Sequence, residues 1–249
     1  MPKTNTLTRV FRIARILLHT LIGIGIAALV WPFFSQPKKL ALNQWWCKGL
    51  LRCFNIQVIT TGKLPVSNTR ATMFVANHIS WSDIHAINSV IPIHFIAKLE
   101  IKSWPIFGYL VRKSGTLFID RTNRKDAVRI IDIATSHLKA GENLGFFPEG
   151  TTTDGTHLVQ FKSSILQAAI DANATVWPIA IVYPLANGNT NTQMAYAGET
   201  TMGESMMNVL MQLKPVVELH FLTPITALPA NRQALTAEVF NAISKQLKL

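Results

Sequence analysis

Residues 73–83 read Met73-Phe74-Val75-Ala76-Asn77-His78-Ile79-Ser80-Trp81-Ser82-Asp83, a short apolar run that passes directly into polar residues. An apolar run of this length, ending abruptly, is the mark of a strand buried on both faces, and such strands belong to parallel sheets. The same texture recurs at Ile56–Ile59, His94–Ala97, Thr116–Ile119, Leu144–Phe147, Val176–Val182 and Val216–Phe221. Between these runs, Asp126 to Ala140 places Ala127, Ile130, Ile131, Ala134 and Leu138 on one helical face and stops at Gly141. Phe161 to Ala172 also reads as a helix. A last helix starts near Asn231, with Leu235, Val239, Ala242, Ile243 and Leu247 as its apolar stripe. The alternation predicts an α/β fold with a largely parallel sheet and helices on both faces, one body over residues 55–249.

The whole chain has 249 residues and 49% hydrophobic content, ample for a buried core. Disorder and a disulfide scaffold are excluded. The two cysteines, Cys47 and Cys53, form no CxxC and have no His-rich partner for zinc, and they fit a reducing compartment. Lys+Arg 24 against Asp+Glu 13 leaves +11 at pH 7, on a chain of mean hydropathy +0.25. Basic and apolar together point to a membrane surface. A nucleic-acid partner is not expected, because such binders carry more than 15% charged residues and lack a long apolar segment.

That apolar segment runs from Ile16 to Pro37 without a formal charge. Lys3, Arg9, Arg12 and Arg15 precede it, and Lys38, Lys39, Lys48 and Arg52 follow, so the positive-inside rule selects no orientation. No small-x-small cleavage site precedes Trp31-Pro32, which argues against a cleaved signal. Pro32 and Pro37 break the helix, and Leu40 to Phe54 supplies a second apolar stretch in which Trp45 and Trp46 lie beside basic residues, as suits the headgroup region. Ile13 to Phe54 is therefore expected to form two helices dipping into one leaflet, making residues 1–54 a membrane anchor on the cytoplasmic face of the inner membrane. A single spanning helix is the alternative.

The chemistry lies where the expected strands end. After the 73–76 strand, Ser80 and Asp83 look like a capping pair that starts a helix at Ser80 and leaves His78 in the loop before it. Asp83 then reaches back to one ring nitrogen, fixing the tautomer and leaving the other nitrogen as a general base. No Gly-x-Ser-x-Gly elbow is present, so the simplest use of His78 is to deprotonate a substrate hydroxyl that attacks an activated acyl group directly. Gly115-Thr116-Leu117-Phe118-Ile119-Asp120-Arg121 delivers Arg121 at a strand's carboxyl end, where a guanidinium clamps phosphate or carboxylate, and Lys98 ends another strand on the same rim. Phe146-Phe147-Pro148-Glu149-Gly150-Thr151-Thr152-Thr153-Asp154-Gly155 makes a loop open to close substrate approach, with Glu149 able to accept hydrogen bonds from substrate hydroxyls. Val176-Trp177-Pro178-Ile179-Ala180-Ile181 is either a groove wall or a core strand.

In this order the four clusters resemble the four motifs of the glycerolipid acyltransferase family, over roughly Asn55 to Pro224, and the apolar N-terminal segment resembles that family's membrane anchor. The resemblance implies that His78 and Asp83 are the catalytic dyad. It places Gly115 and Arg121 in acceptor binding, assigns Glu149, Gly150 and Thr151 to third-motif contacts, and matches Pro178 to the fourth motif. It also implies acyl transfer from acyl-CoA or acyl carrier protein to the free hydroxyl of a lysolipid, without metal or cofactor. Phosphatidate formation from 1-acylglycerol-3-phosphate is the first expectation, with Arg121 and Lys98 on the phosphate. Many phosphatidate-forming members continue the third motif with Arg-Ser, whereas Thr152-Thr153-Asp154-Gly155 stands here and resembles the lyso-ornithine lipid acyltransferases. An inactive membrane-surface binding protein is the reading from another class, opposed by the presence of His78, Asp83, Glu149 and Arg121 together.

Overall fold

The computed structural model describes residues 3–66, 68–120, 123–226 and 231–249. Asn5 opens the first helix by accepting the Thr8 amide, and α1 runs Thr6–Leu29, earlier than the expected start at Ile13. A 3₁₀ turn at Trp31–Phe33 contains Pro32, and α2 follows at Gln36–Phe54 with Pro37 in its first turn, where a missing N–H costs no hydrogen bond. Asn55, at φ 60°, ends α2 in the left-handed conformation that helix C-caps favour.

The two helices interlock. His19 of α1 stacks on Trp46 of α2 at 5.5 Å between ring centroids, and its Nε2 meets the Trp46 carbonyl at 2.9 Å. Each ring rests on a glycine of the opposite helix: a Cβ on Gly23 would stand 2.4 Å from Trp46 Nε1, and one on Gly49 would stand 2.3 Å from His19 Cε1.

The body follows in the order β1 (Gln57–Gly62), β2 (Thr72–Ala76), α3 (Ser82–Val90), β3 (His94–Lys98), α4 (Phe107–Lys113), β4 (Leu117–Ile119), α5 (Arg124–Lys139) and β5 (Leu144–Phe146). It continues with α6 (Gln167–Asp171), β6 (Thr175–Val182), α7 (Met202–Leu210), β7 (Val216–Phe221) and α8 (Arg232–Leu247). All seven expected strands join one sheet in the order β1-β7-β6-β2-β5-β3-β4. Every pairing is parallel except β6 with β7. The alternation of side chains divides the core between two faces. Phe74 and Ala76 pack with Leu50, Leu51, Phe54, Ile87 and Val209 from α2, α3 and α7, whereas Met73 and Val75 pack with Ile130, Ala134, Ala169 and Val239 from α5, α6 and α8.

Two further features differ from expectation. The Phe161–Ala172 segment coils only from Ser164, first as a 3₁₀ turn, because the Lys162 amide is taken by the Pro148 carbonyl at 2.9 Å. Arg12, expected on the basic flank of a membrane segment, is buried instead. Its guanidinium donates to the carbonyls of Leu210 (3.3 Å), Gln212 (2.7 Å) and Leu213 (2.6 Å), closing the C-terminus of α7.

Candidate active site

Five strands of the sheet, β2 to β6, run the same way, so their carboxyl ends meet along one edge. At that edge β2 and β6 part. The Asn77 side chain spans the gap by donating to the Ile181 carbonyl at 3.0 Å and accepting the Ile181 amide at 2.7 Å, which fixes where the next residue leaves the sheet.

That residue is His78. Its ring lies flat on Phe147, 3.9 Å between centroids and 8° between planes, and its Nδ1 is 2.8 Å from Asp83 Oδ2. A carboxylate only accepts, so Nδ1 carries a proton toward Asp83, and in the neutral imidazole Nε2 is then the nitrogen with the lone pair. Among the described residues Nε2 makes no hydrogen bond, and His78 borders a cavity of about 520 Å³. Asp83 is wholly buried. Oδ2 also accepts the Ile79 and Ser80 amides at 2.8 and 2.9 Å, and Oδ1 accepts the Tyr183 hydroxyl at 2.5 Å. The expected capping pair is thus resolved differently: α3 begins at Ser82, the Ser80 carbonyl rather than its hydroxyl receives the Asp83 amide, and the Asp83 carboxylate caps the turn.

The third cluster supports the first. Glu149, 2% exposed, was expected to meet substrate hydroxyls, but Oε1 accepts the His78 amide at 2.7 Å and Oε2 the Val159 amide at 3.0 Å. Burial pushes its carboxyl up, and those two amides together with His78 pull it back. The Thr153 amide adds a bond to the His78 carbonyl at 2.9 Å. Gly150 and Thr151 turn toward the open side and line the cavity.

Lys98 also lines the cavity, and Lys113 of α4, unforeseen in the sequence, joins it there. Gly115 serves packing: at φ 79° its missing Cβ would stand 2.5 Å from His94 Nδ1. Arg121 lies outside the described residues. Ile119, the last residue of β4, pairs with Lys98, the last residue of β3, which brings the two strand ends to one rim. Asp154 is tied to the amide and hydroxyl of Thr156 and does not border the cavity. The rest of the lining is mainly apolar, with Ile16, Trp46 and Leu50 from the helical pair and Ile101, Trp104 and Leu110 in and before α4, among fewer polar groups such as Asn43, His85 and Asn88. The site therefore places a lone-pair nitrogen at the head of a greasy channel with cations at its rim. No group of three or more His, Cys, Asp or Glu that could hold a metal occurs among the described residues.

The sequence pattern defining the Acyltransferase family matches residues 56–182, the stretch that carries all four clusters. The chain belongs to the acyltransferase family. It is 31% identical over 240 residues to the lyso-ornithine lipid O-acyltransferase of Pseudomonas aeruginosa, covering 93% of this chain and 90% of that one. It is 39% identical over 150 residues to the 1-acyl-sn-glycerol-3-phosphate acyltransferase of Neisseria gonorrhoeae, covering 60% of this chain and 58% of that one. The crystal structure of PlsC, the 1-acyl-sn-glycerophosphate (LPA) acyltransferase from Thermotoga maritima, superposes with a TM-score of 0.71 over 97% of this chain and 95% of its own, at 17% identity. The fold is shared with that acyltransferase.

Proposed function

We propose that this acyltransferase moves a fatty acyl group from a thioester, acyl-CoA or acyl carrier protein, to the free hydroxyl of 1-acylglycerol-3-phosphate, giving phosphatidate. The observation that carries the chemistry is the free Nε2 of His78 at the cavity, with Nδ1 held by Asp83. In this reading Nε2 takes the hydroxyl proton as the oxygen bonds to the thioester carbonyl. The tetrahedral intermediate collapses by breaking its C–S bond, and the imidazolium returns the proton to the departing thiolate. No acyl-enzyme forms.

The phosphate acceptor is supported by the rim. Lys98 and Lys113 border the cavity with Glu100 as the one acidic side chain there among the described residues, which suits a dianion better than a headgroup bearing an ammonium. Lyso-ornithine lipid is the second reading, favoured by the near full-length match to the Pseudomonas aeruginosa protein. Residues 1–54 act in this proposal as a membrane anchor on the cytoplasmic face of the inner membrane, delivering both lipids to residues 55–249. Its support is α1, which is long and apolar enough to cross a bilayer and exposes Leu7, Phe11, Leu18, Ile22 and Leu29 along its length. The deciding experiment is thioester release by purified protein across lysolipid acceptors. Turnover on lysophosphatidate is expected, and turnover on lyso-ornithine lipid alone replaces the first acceptor by the second.

A further inference from the structure

The two oxygens of Asp83 are held by different parts of the chain. Oδ2 is occupied locally, by His78 and the amides of the next two residues, whereas Oδ1 is met by Tyr183, 100 residues later at the end of β6. Tyr183 is fully buried and does not border the large cavity. Ser82 Oγ lies 2.8 Å behind the phenol oxygen and 3.1 Å from Ser80 Oγ. A carboxylate has no proton to give, so Tyr183 donates to Asp83, and the Ser82 hydroxyl packs against the phenol oxygen while donating to Ser80 Oγ. Burial, then the charge of Asp83, hold the phenol far above its ordinary range, so this donor keeps its proton.

We propose that Tyr183 is a positioning residue for the dyad, drawing charge toward Asp83 Oδ1 and away from the oxygen facing His78, which weakens the carboxylate's pull on the Nδ1 proton and leaves Nε2 to take the acceptor's proton. The proposal rests on the reading of His78 as general base. A buried carboxylate 2.8 Å from an imidazole favours the imidazolium, and an imidazolium cannot act as a base. The donor on Oδ1 opposes that effect. The other titratable or charged groups around the dyad are Glu149 behind the His78 backbone, His85 two residues past Asp83 in α3, and Lys98, Glu100 and Lys113 lining the same cavity. His85 is neutral, because burial lowers it to about 4. None of these groups donates to Asp83.

The test is the pH dependence of kcat/KM for full-length Tyr183→Phe, with acyl-CoA and 1-acylglycerol-3-phosphate in mixed micelles. Its acid limb reports the free enzyme's base. The limb is expected to move upward by about half to one pH unit, with kcat near neutrality reduced several-fold, recovery at alkaline pH and an unchanged acceptor KM. Ser82→Ala, which removes the hydroxyl held against the phenol oxygen, is expected to move the limb the same way by less, and it carries the test if Tyr183→Phe does not fold. An unshifted limb in both variants, or a loss of activity equal at every pH, overturns the proposal and leaves Tyr183 a packing residue. His78→Ala separates this failure from that of the underlying reading: an active His78→Ala removes the general base itself, whereas an inactive one beside an unshifted Tyr183→Phe profile removes only the role of Tyr183.

Discussion

Glu149 and His78 are 71 residues apart in the chain, and the carboxylate of one accepts the backbone amide of the other at 2.7 Å. Since the second oxygen takes the Val159 amide, Glu149 acts as a bracket between the two loops at the site. Glu149→Gln can satisfy one of those amides and turns an NH₂ group toward the other, and a buried donor left unpaired costs about 1–3 kcal/mol. The expected result is a lower melting temperature and a lower kcat with little change in acceptor KM. A raised acceptor KM at unchanged stability would return Glu149 to direct acceptor contact.

Removing the imidazole tests the chemical step. His78→Ala is expected to remain folded and to lose about 10²–10⁴ in rate, the usual worth of general-base assistance. Asp83→Asn should lose less, because the tautomer is disturbed but the ring nitrogen remains. Near-normal turnover in folded His78→Ala, or an acyl-enzyme trapped with donor alone, contradicts direct transfer.

Cations at the rim should reveal the acceptor. Lys98→Ala and Lys113→Ala at the cavity, and Arg121→Ala on the sequence reading alone, are each expected to raise the Michaelis constant for lysophosphatidate far more than for the thioester, since charge-assisted contacts contribute roughly 1.5–3 kcal/mol apiece. Asp154→Asn is expected to be neutral for any acceptor, because Asp154 is spent on Thr156 and stands away from the cavity. Michaelis constants measured with each substrate in turn decide the matter.

Acid should weaken the fold through His85, which packs beside Trp46 and Trp81. Burial lowers its pKa to about 4, below the roughly 6.5 of a free chain. Neutral His85 thus contributes stability that is complete above about pH 6.5 and is lost as pH falls toward 4. Melting temperatures of wild type and His85→Gln across this interval are expected to converge as pH drops, and parallel curves would assign the titration to another group.

The seven strands were legible because each is a short apolar run with its neighbours on both sides. The direction of β7 was not, since antiparallel pairing with β6 leaves no mark in composition. The helix α7 escaped notice although Thr201 and Glu204 form a capping box at its start, a spacing that would have found it. In the site, His78 and Asp83 were readable because only four residues separate them, and their hydrogen-bond partner Tyr183 was not, because only the sheet brings β6 beside β2. The role of Glu149 was misjudged for a related reason: a carboxylate beside glycine suggests an open ligand site, and only folding reveals that both oxygens face amides.

The seating of His19 on Gly49 and of Trp46 on Gly23 keys α1 and α2 to each other at two notches, one cut in each helix. Sliding either helix by a single residue, about 1.5 Å, lifts both rings out of their notches at once. The helical wall of the channel therefore behaves as a fixed gauge instead of an adjustable one. Any change in the bore this chain offers to a fatty tail has to come from exchanging the side chains that face the channel, because the frame that carries them has one setting.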